Sequence, residues 1–172
     1  ERGQEGARQV GQALSGLTFD AAYCSPLKRA KQTAELILET LSAEQTVPTL
    51  QVNDRIKEVN LAEWEELTFQ DIKDQFPEKA HQWRHSPHTL QMQTTTPEGT
   101  RTYFPVLDLF EQATQFWQEM LPHHAGQTVL VVAHSGINRV LIATAMGMQP
   151  PHYRQLYQSN CGISVVNFPS GW

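Results

Sequence analysis

Cysteine is scarce: Cys24 and Cys161 are the only two in 172 residues, which excludes a disulfide framework as the source of stability. Two thiols in a chain of this size read as small, buried apolar residues of a protein kept in a reducing compartment. No apolar run approaches membrane-spanning length and no signal-peptide pattern opens the chain, so a cytoplasmic protein without membrane association is expected. Positive charge is scarce as well. Lys and Arg total 13 against 18 Asp and Glu, a formal net charge of −5 at pH 7 with no long basic cluster. Nucleic acid is therefore not an expected partner. A locally positive pocket is still compatible with this balance, because net charge does not describe one site. A composition 40% hydrophobic and 18% charged suits one globular domain over residues 1–172, with little room for a second.

Periodicity gives an alternation of helices and short strands. Ala7, Val10, Leu14 and Leu17 recur at helical spacing, and Ser15-Gly16 ends that helix. Phe19 to Cys24 reads as a buried strand, followed by Ser25 as a helix N-cap with Pro26 at the first helical position. Leu27, Ala30, Ala34, Ile37 and Leu41 line one face of the next helix, and Leu50 to Val52 suits a second short strand. Thr68 is placed to cap a helix that Pro77 interrupts after Phe76, and residues 86–102 read as a surface excursion. A long amphipathic helix follows, with Phe104, Leu107, Phe110, Ala113, Trp117, Met120 and Leu121 on its apolar side. Val129 to Ala133 is the clearest strand, Ile137 to Met148 is helical until Pro150-Pro151 stop it, and Ile163 to Phe168 alternates as a final strand. The expectation is a three-layer α/β/α fold around a mostly parallel sheet.

Three segments near strand ends carry chemistry, and strand ends are where an open α/β sheet places its ligands. His134 is delivered by the apolar strand into Ser135-Gly136, whose backbone N–H groups at a helix start suit an anion. Arg29 lies in the first turns of its helix, where a guanidinium can bind a phosphate in bidentate fashion. Glu58 lies in a loop, where its carboxyl group would donate a proton to a departing alcohol oxygen. Each residue alone has a plain alternative: a solvated arginine, a solvated glutamate, a satisfied structural histidine. His81, His85 and His88 have a spacing that a helix could offer to a metal, but the polar stretch around them suits solvated histidines. His123-His124 reads as loop, and Trp64, Trp83 and Trp117 as core or lid packing.

Taken together these segments resemble the histidine phosphatase superfamily, the phosphoglycerate mutase-like fold. Glu1-Arg2-Gly3 with Gln4 and Ala7 is similar to the family's helix start "T-E-R-G-x-x-Q-A", and Ser25 to Thr33 to its "S-P-L-x-R-A-x-Q-T". Lys57 to Thr68 resembles "R-E-x-x-F-G-x-W-E-G-L-T", Val131 to Arg139 the strand bearing the second pocket histidine, and Ser159 to Val165 the last strand. The resemblance implies Arg29 as a phosphate-pocket arginine, His134 as a pocket histidine and Glu58 as general acid. Ser135 and Gly136 would add backbone donors for the substrate. It implies no metal and no cofactor, with arginine and histidine charge taking the place of Mg²⁺. The expected partner is a small phosphorylated substrate, and a homodimer stays open. Ala62-Glu63-Trp64-Glu65-Glu66 after Glu58 resembles the "G-x-W-E-G" of the phosphatase side of the family rather than the mutase pattern "R-H-Y-G". Thr96-Pro97-Glu98-Gly99-Thr100, Phe116-Trp117 and Ser159-Asn160-Cys161-Gly162 resemble members from photosynthetic organisms, where sugar-phosphate phosphatases occur.

The departures are as specific as the matches. The family's "R-H-G" strand, which carries the histidine that becomes phosphorylated, has no counterpart here, so the first strand is expected to be missing from this chain. The natural protein is expected to have about forty more residues at its N-terminus, and this stretch is not expected to fold as an independent enzyme. Ala62 and Glu66 stand where the family has glycines, which predicts a different bend in the loop after Glu58 if those positions need positive φ. The reading is a phosphomonoesterase for a small phosphorylated metabolite, a sugar phosphate among the candidates, working through a phosphohistidine. The alternatives are mutase-type phosphoryl transfer and a phosphate-ligand-binding or regulatory module without catalysis. Ser135 as a hydrolase nucleophile fits poorly, because Ala133 and Ile137 occupy the places where a nucleophile elbow needs glycine.

Overall fold

The computed structural model describes residues 2–97 and 99–169. Glu1 and Glu98, which entered two of the sequence motifs, lie outside the described residues. In chain order the elements are α1 (Arg2–Ala13), β1 (Ala21–Cys24), α2 (Lys28–Ser42), β2 (Leu50–Val52), α3 (Phe69–Gln75), α4 (Pro77–His85), β3 (Met92–Thr96), β4 (Gly99–Tyr103), α5 (Pro105–Met120), β5 (Val129–Val132) and α6 (Ser135–Ala145), with short 3₁₀ turns between several of them.

The main sheet has the order β2-β1-β5, all parallel, with Ala22 beside Leu50 on one side and Leu130 on the other. Side chains alternate across it as the pleat requires. Ala22, Cys24, Leu130 and Val132 pack with Ala7, Leu14, Ala34, Ile37 and Leu41 of the α1–α2 layer. Tyr23, Val129 and Val131 face the opposite way, toward Val106, Phe110, Phe116, Ile137 and Val140 of the α5–α6 layer. Helices on both faces of a parallel sheet make the expected three-layer α/β/α arrangement. Each fully buried Leu, Ile or Phe in these layers contributes about 1.5–3 kcal/mol of burial. A third cluster, Trp64, Leu90, Met92 and Tyr103, ties a β3–β4 hairpin to the segment after Glu58. Among the described residues no helix is long and apolar enough to cross a membrane.

Several sequence expectations need correction. Ser25 does not cap α2: Leu27, at φ −68° and ψ 131°, is the N-cap, and the helix starts at Lys28. The Ser25 hydroxyl is taken up instead by His134 and by the Leu27 N–H. The surface excursion over residues 86–102 carries a hairpin that periodicity did not show: Met92 to Thr96 pair antiparallel with Gly99 to Tyr103. The β-branched threonines there suit a hairpin that is largely exposed. Residues 163–168 form no strand, because among the described residues no strand lies beside them to complete a ladder, and Val165 is 81% exposed. Helix α6 ends at Ala145, before the prolines, where Gly147 takes φ +70° and the Met146 N–H closes back on the last carbonyls. Pro77 separates α3 from α4 as expected, but it opens the second helix at its first position. The α5 stripe is right in phase, although Leu107 is 39% exposed and Val106 and Leu109 take the buried places beside it. Cys24 is buried, whereas Cys161 is exposed at a turn with φ +58°, so only one of the two thiols is a core residue.

Candidate active site

The parallel ladder does not stop at the strand ends. The Ser25 N–H donates to the Val132 carbonyl at 3.1 Å and the Asn53 N–H to the Cys24 carbonyl at 2.9 Å. These bonds bring the loops after β1, β2 and β5 to one edge of the sheet, and each loop carries one of the predicted site residues.

His134 is the N-cap of α6 and is only 7% exposed. Arg29, in the first turn of α2, donates from Nε to His134 Nδ1 at 3.1 Å. A nitrogen that accepts this bond carries no proton, so the neutral ring holds its hydrogen on Nε2. That Nε2–H donates to Ser25 Oγ at 2.8 Å, and Ser25 is fully buried. Burial pushes the His134 pKa below the ordinary 6.5, the Arg29 charge pushes it the same way, and Glu58 opposes the shift more weakly. The ring is therefore a neutral, oriented donor and acceptor.

Glu58 reaches the same helix start from the other side. Its Oε2 accepts from the Gly136 N–H and its Oε1 from the Ile137 N–H, both at 3.2 Å, and Oε1 also accepts from the Val59 N–H at 2.9 Å. A carboxylate at the second and third N–H groups of a helix is where the helix dipole favours negative charge. Gly136 permits this approach: an added Cβ would collide with Glu58 Oε1 and lie 3.3 Å from the Tyr153 hydroxyl. The Gly136 N–H is thus engaged by Glu58, while the Ser135 N–H sits at the first position of α6.

The loop that presents Glu58 is held by Tyr103, whose hydroxyl donates to the Asn60 carbonyl and accepts from the Ala62 N–H, both at 3.2 Å. The glycine question resolves differently at its two positions. Glu66 adopts φ +64°, so that place does require the left-handed conformation, whereas Ala62 sits in a short 3₁₀ turn. A hollow of about 260 Å³ opens beside Glu58, with Asn60, Thr94, Arg101, Tyr103 and Gln112 among its walls.

Arg29, His134, Glu58, Ser135 and Gly136 thus meet at the start of α6. Two residues that the sequence motifs did not single out as functional join them. Ser25 orients His134, and its place directly after a strand in "S-P-L" was the available signal. Tyr153, fully packed against Gly136, had none, because it follows an irregular proline turn. The histidines of α4 stand apart: the His81 and His85 rings stack at 4.1 Å, and among the described residues no group of His, Cys, Asp and Glu is arranged to hold a metal. His124 closes the 3₁₀ turn Leu121–His123 as its C-cap, and its Nε2 pairs with the Tyr23 hydroxyl at 2.7 Å.

Comparison with known proteins follows the same lines. The family model of the histidine phosphatase superfamily (branch 1) matches residues 1–171. A probable 2-carboxy-D-arabinitol-1-phosphatase of Arabidopsis thaliana is 33% identical over 168 residues, 98% of this chain and 32% of that protein. The 2-carboxy-D-arabinitol-1-phosphatase of Triticum aestivum is 33% identical over 88% of this chain and 28% of its own length. The chain thus spans about a third of these curated relatives. Among solved structures, Bacillus stearothermophilus YhfR superposes with a TM-score of 0.76 at 25% identity, over 94% of this chain and 74% of that one.

Proposed function

Because the chain belongs to the histidine phosphatase superfamily (branch 1), we propose that it supplies the phosphate pocket and the general acid of a phosphomonoesterase for small phosphorylated metabolites. The observation that carries this reading is the meeting of Arg29, His134 and Glu58 at one helix start, from loops that are far apart in sequence. A phosphoryl oxygen would compete with His134 Nδ1 for the Arg29 Nε–H, and the remaining guanidinium donors would hold a second oxygen in bidentate fashion. His134, kept neutral and fixed by Ser25, would bear on the charge that develops on the transferring group. The Ser135 N–H adds a backbone donor at the positive end of α6.

Glu58 would protonate the departing alkoxide and then take a proton from the water that cleaves the phosphoenzyme. The attacking group in this reading is a histidine in an Arg-His-Gly setting, a tripeptide that these 172 residues do not contain. No step calls for a metal.

Similarity to 2-carboxy-D-arabinitol-1-phosphatases supports a phosphorylated sugar acid or a similar metabolite as substrate, and a phosphatase rather than a mutase. The test is to incubate the full-length natural protein with ³²P-labelled phosphomonoester and quench it with denaturant. Label that is lost in acid and kept in alkali is the expected result. Label that persists in acid, or no label with substrate turning over, would overturn the phosphohistidine route.

A further inference from the structure

We propose that Arg139, with Arg154, forms a subsite for a second anionic group carried by the alcohol part of the substrate. The inference rests on reading Arg29, His134 and Glu58 as the phosphoryl site and adds the chemical class of the leaving group.

Arg139 follows Gly136 by three residues on α6, so the two share a helix face, and helical side chains lean toward the N-terminus. Tyr153 joins them. Its hydroxyl sits over Gly136 beside Glu58, and the Arg139 guanidinium lies 5.9 Å from its ring centroid and 5.8 Å from that of Tyr157. Trp83 packs against Tyr153 at 5.9 Å and carries the Arg154 guanidinium 5.1 Å from its centroid. Arg154 donates from Nε and Nη2 to the Trp83 carbonyl, which fixes its plane. The result is a contiguous array running from Glu58 through Tyr153 to stacked guanidiniums.

These guanidiniums have no ion-pair partner. Among the described residues no carboxylate lies within 4.0 Å of Arg84, Arg139 or Arg154, whereas Arg101 and Lys57 beside the 260 Å³ hollow are paired with Asp108 and Asp54. The Arg139 Nε is buried with no hydrogen-bond partner. Partial burial of the Arg154 guanidinium lowers its pKa, Tyr153 acts the other way, and the neighbouring Arg139 and Arg84 charges add to the lowering. A cluster of like charges in an acidic protein is costly unless an anion joins it, and guanidiniums stacked on rings present their donor edges to a carboxylate or phosphate. The compensated hollow beside Glu58 suits the neutral, hydroxylated part of such a substrate.

The test compares two probes that differ in one group, 3-phosphoglycerate, which carries a carboxylate, and glycerol 3-phosphate, which carries a hydroxymethyl in its place. Their affinities for the full-length natural protein are measured by calorimetry at low salt. The expected result is about tenfold tighter binding of the carboxylate probe, with the ratio falling toward one in Arg139→Met and in Arg154→Gln. Arg154 is exposed, so its variant carries the test if Arg139→Met fails to fold. A ratio near one in the unaltered protein, or a ratio that neither substitution changes, overturns the subsite. His134→Gln separates the two ideas. If it leaves glycerol 3-phosphate affinity untouched, the phosphoryl-site reading fails. If it weakens that affinity while the ratio ignores Arg139 and Arg154, only the subsite fails. No measurable binding of either probe overturns both.

Discussion

Arg29 and His134, 105 residues apart, are joined by a hydrogen bond in which the guanidinium Nε–H points at the unprotonated ring nitrogen. The bond exists only while the imidazole is neutral, and the buried Ser25 on the other side of the ring holds the proton on Nε2.

Stability should therefore depend on pH through His134. Its pKa in the folded protein lies below the ordinary 6.5, so in the window just under that value the unfolded chain binds the proton more readily. The contribution is fully present above pH 6.5 and is lost as pH falls through the lower, folded value. Urea midpoints measured from pH 7.5 downward should drop more steeply below 6.5 for the natural protein than for His134→Gln. Parallel curves for the two would contradict the assignment.

Gly136→Ala should separate Glu58 from α6. The new Cβ meets Glu58 Oε1 directly and lies 3.3 Å from the Tyr153 hydroxyl, so the carboxylate must swing away from the helix start. Losing this cap costs about 1 kcal/mol of stability, and misplacing the acid lowers turnover by about 10²-fold or more. Thermal unfolding and steady-state kinetics of the full-length protein read the two effects separately.

Glu58→Gln keeps the shape of the side chain and removes the proton that the proposed reaction needs. Hydrolysis of an alkyl phosphate, a poor leaving group, should fall by about 10²–10⁴-fold. Hydrolysis of p-nitrophenyl phosphate, whose leaving group needs no acid, should fall much less. Equal losses on both substrates would assign Glu58 to binding alone.

Glu66→Gly should stabilise the protein by about 0.5–1 kcal/mol, because the side chain now strains a left-handed backbone. Ala62→Gly is the control. In a 3₁₀ turn it removes no strain and should cost about 0.5–1 kcal/mol through added freedom of the unfolded chain. Denaturant titration of both variants gives the signs.

Periodicity was sufficient for α1, α2, α5 and the strands β1 and β5, because each buries one face against a layer whose spacing is written into the local pattern, and half-buried Leu50 of β2 adds to the same layer. It failed where partners decide. Residues 163–168 alternate like a strand yet form none among the described residues, and the threonine-rich stretch became a hairpin because its two halves face each other in register.

The sequence by itself determined the residue types that phosphate chemistry uses and the strand-to-helix junctions that bear them, since both are local properties of short segments. Tertiary structure alone decided that Arg29 meets His134, that Ser25 serves the imidazole rather than a helix, and that Glu58 crosses 78 residues to the N–H groups of α6. The difference has a physical cause. Propensity and burial act over a few residues, whereas the angle at which three loops converge is fixed by sheet register and by contacts such as Tyr103 with Asn60 and Tyr153 with Gly136, which no local pattern encodes.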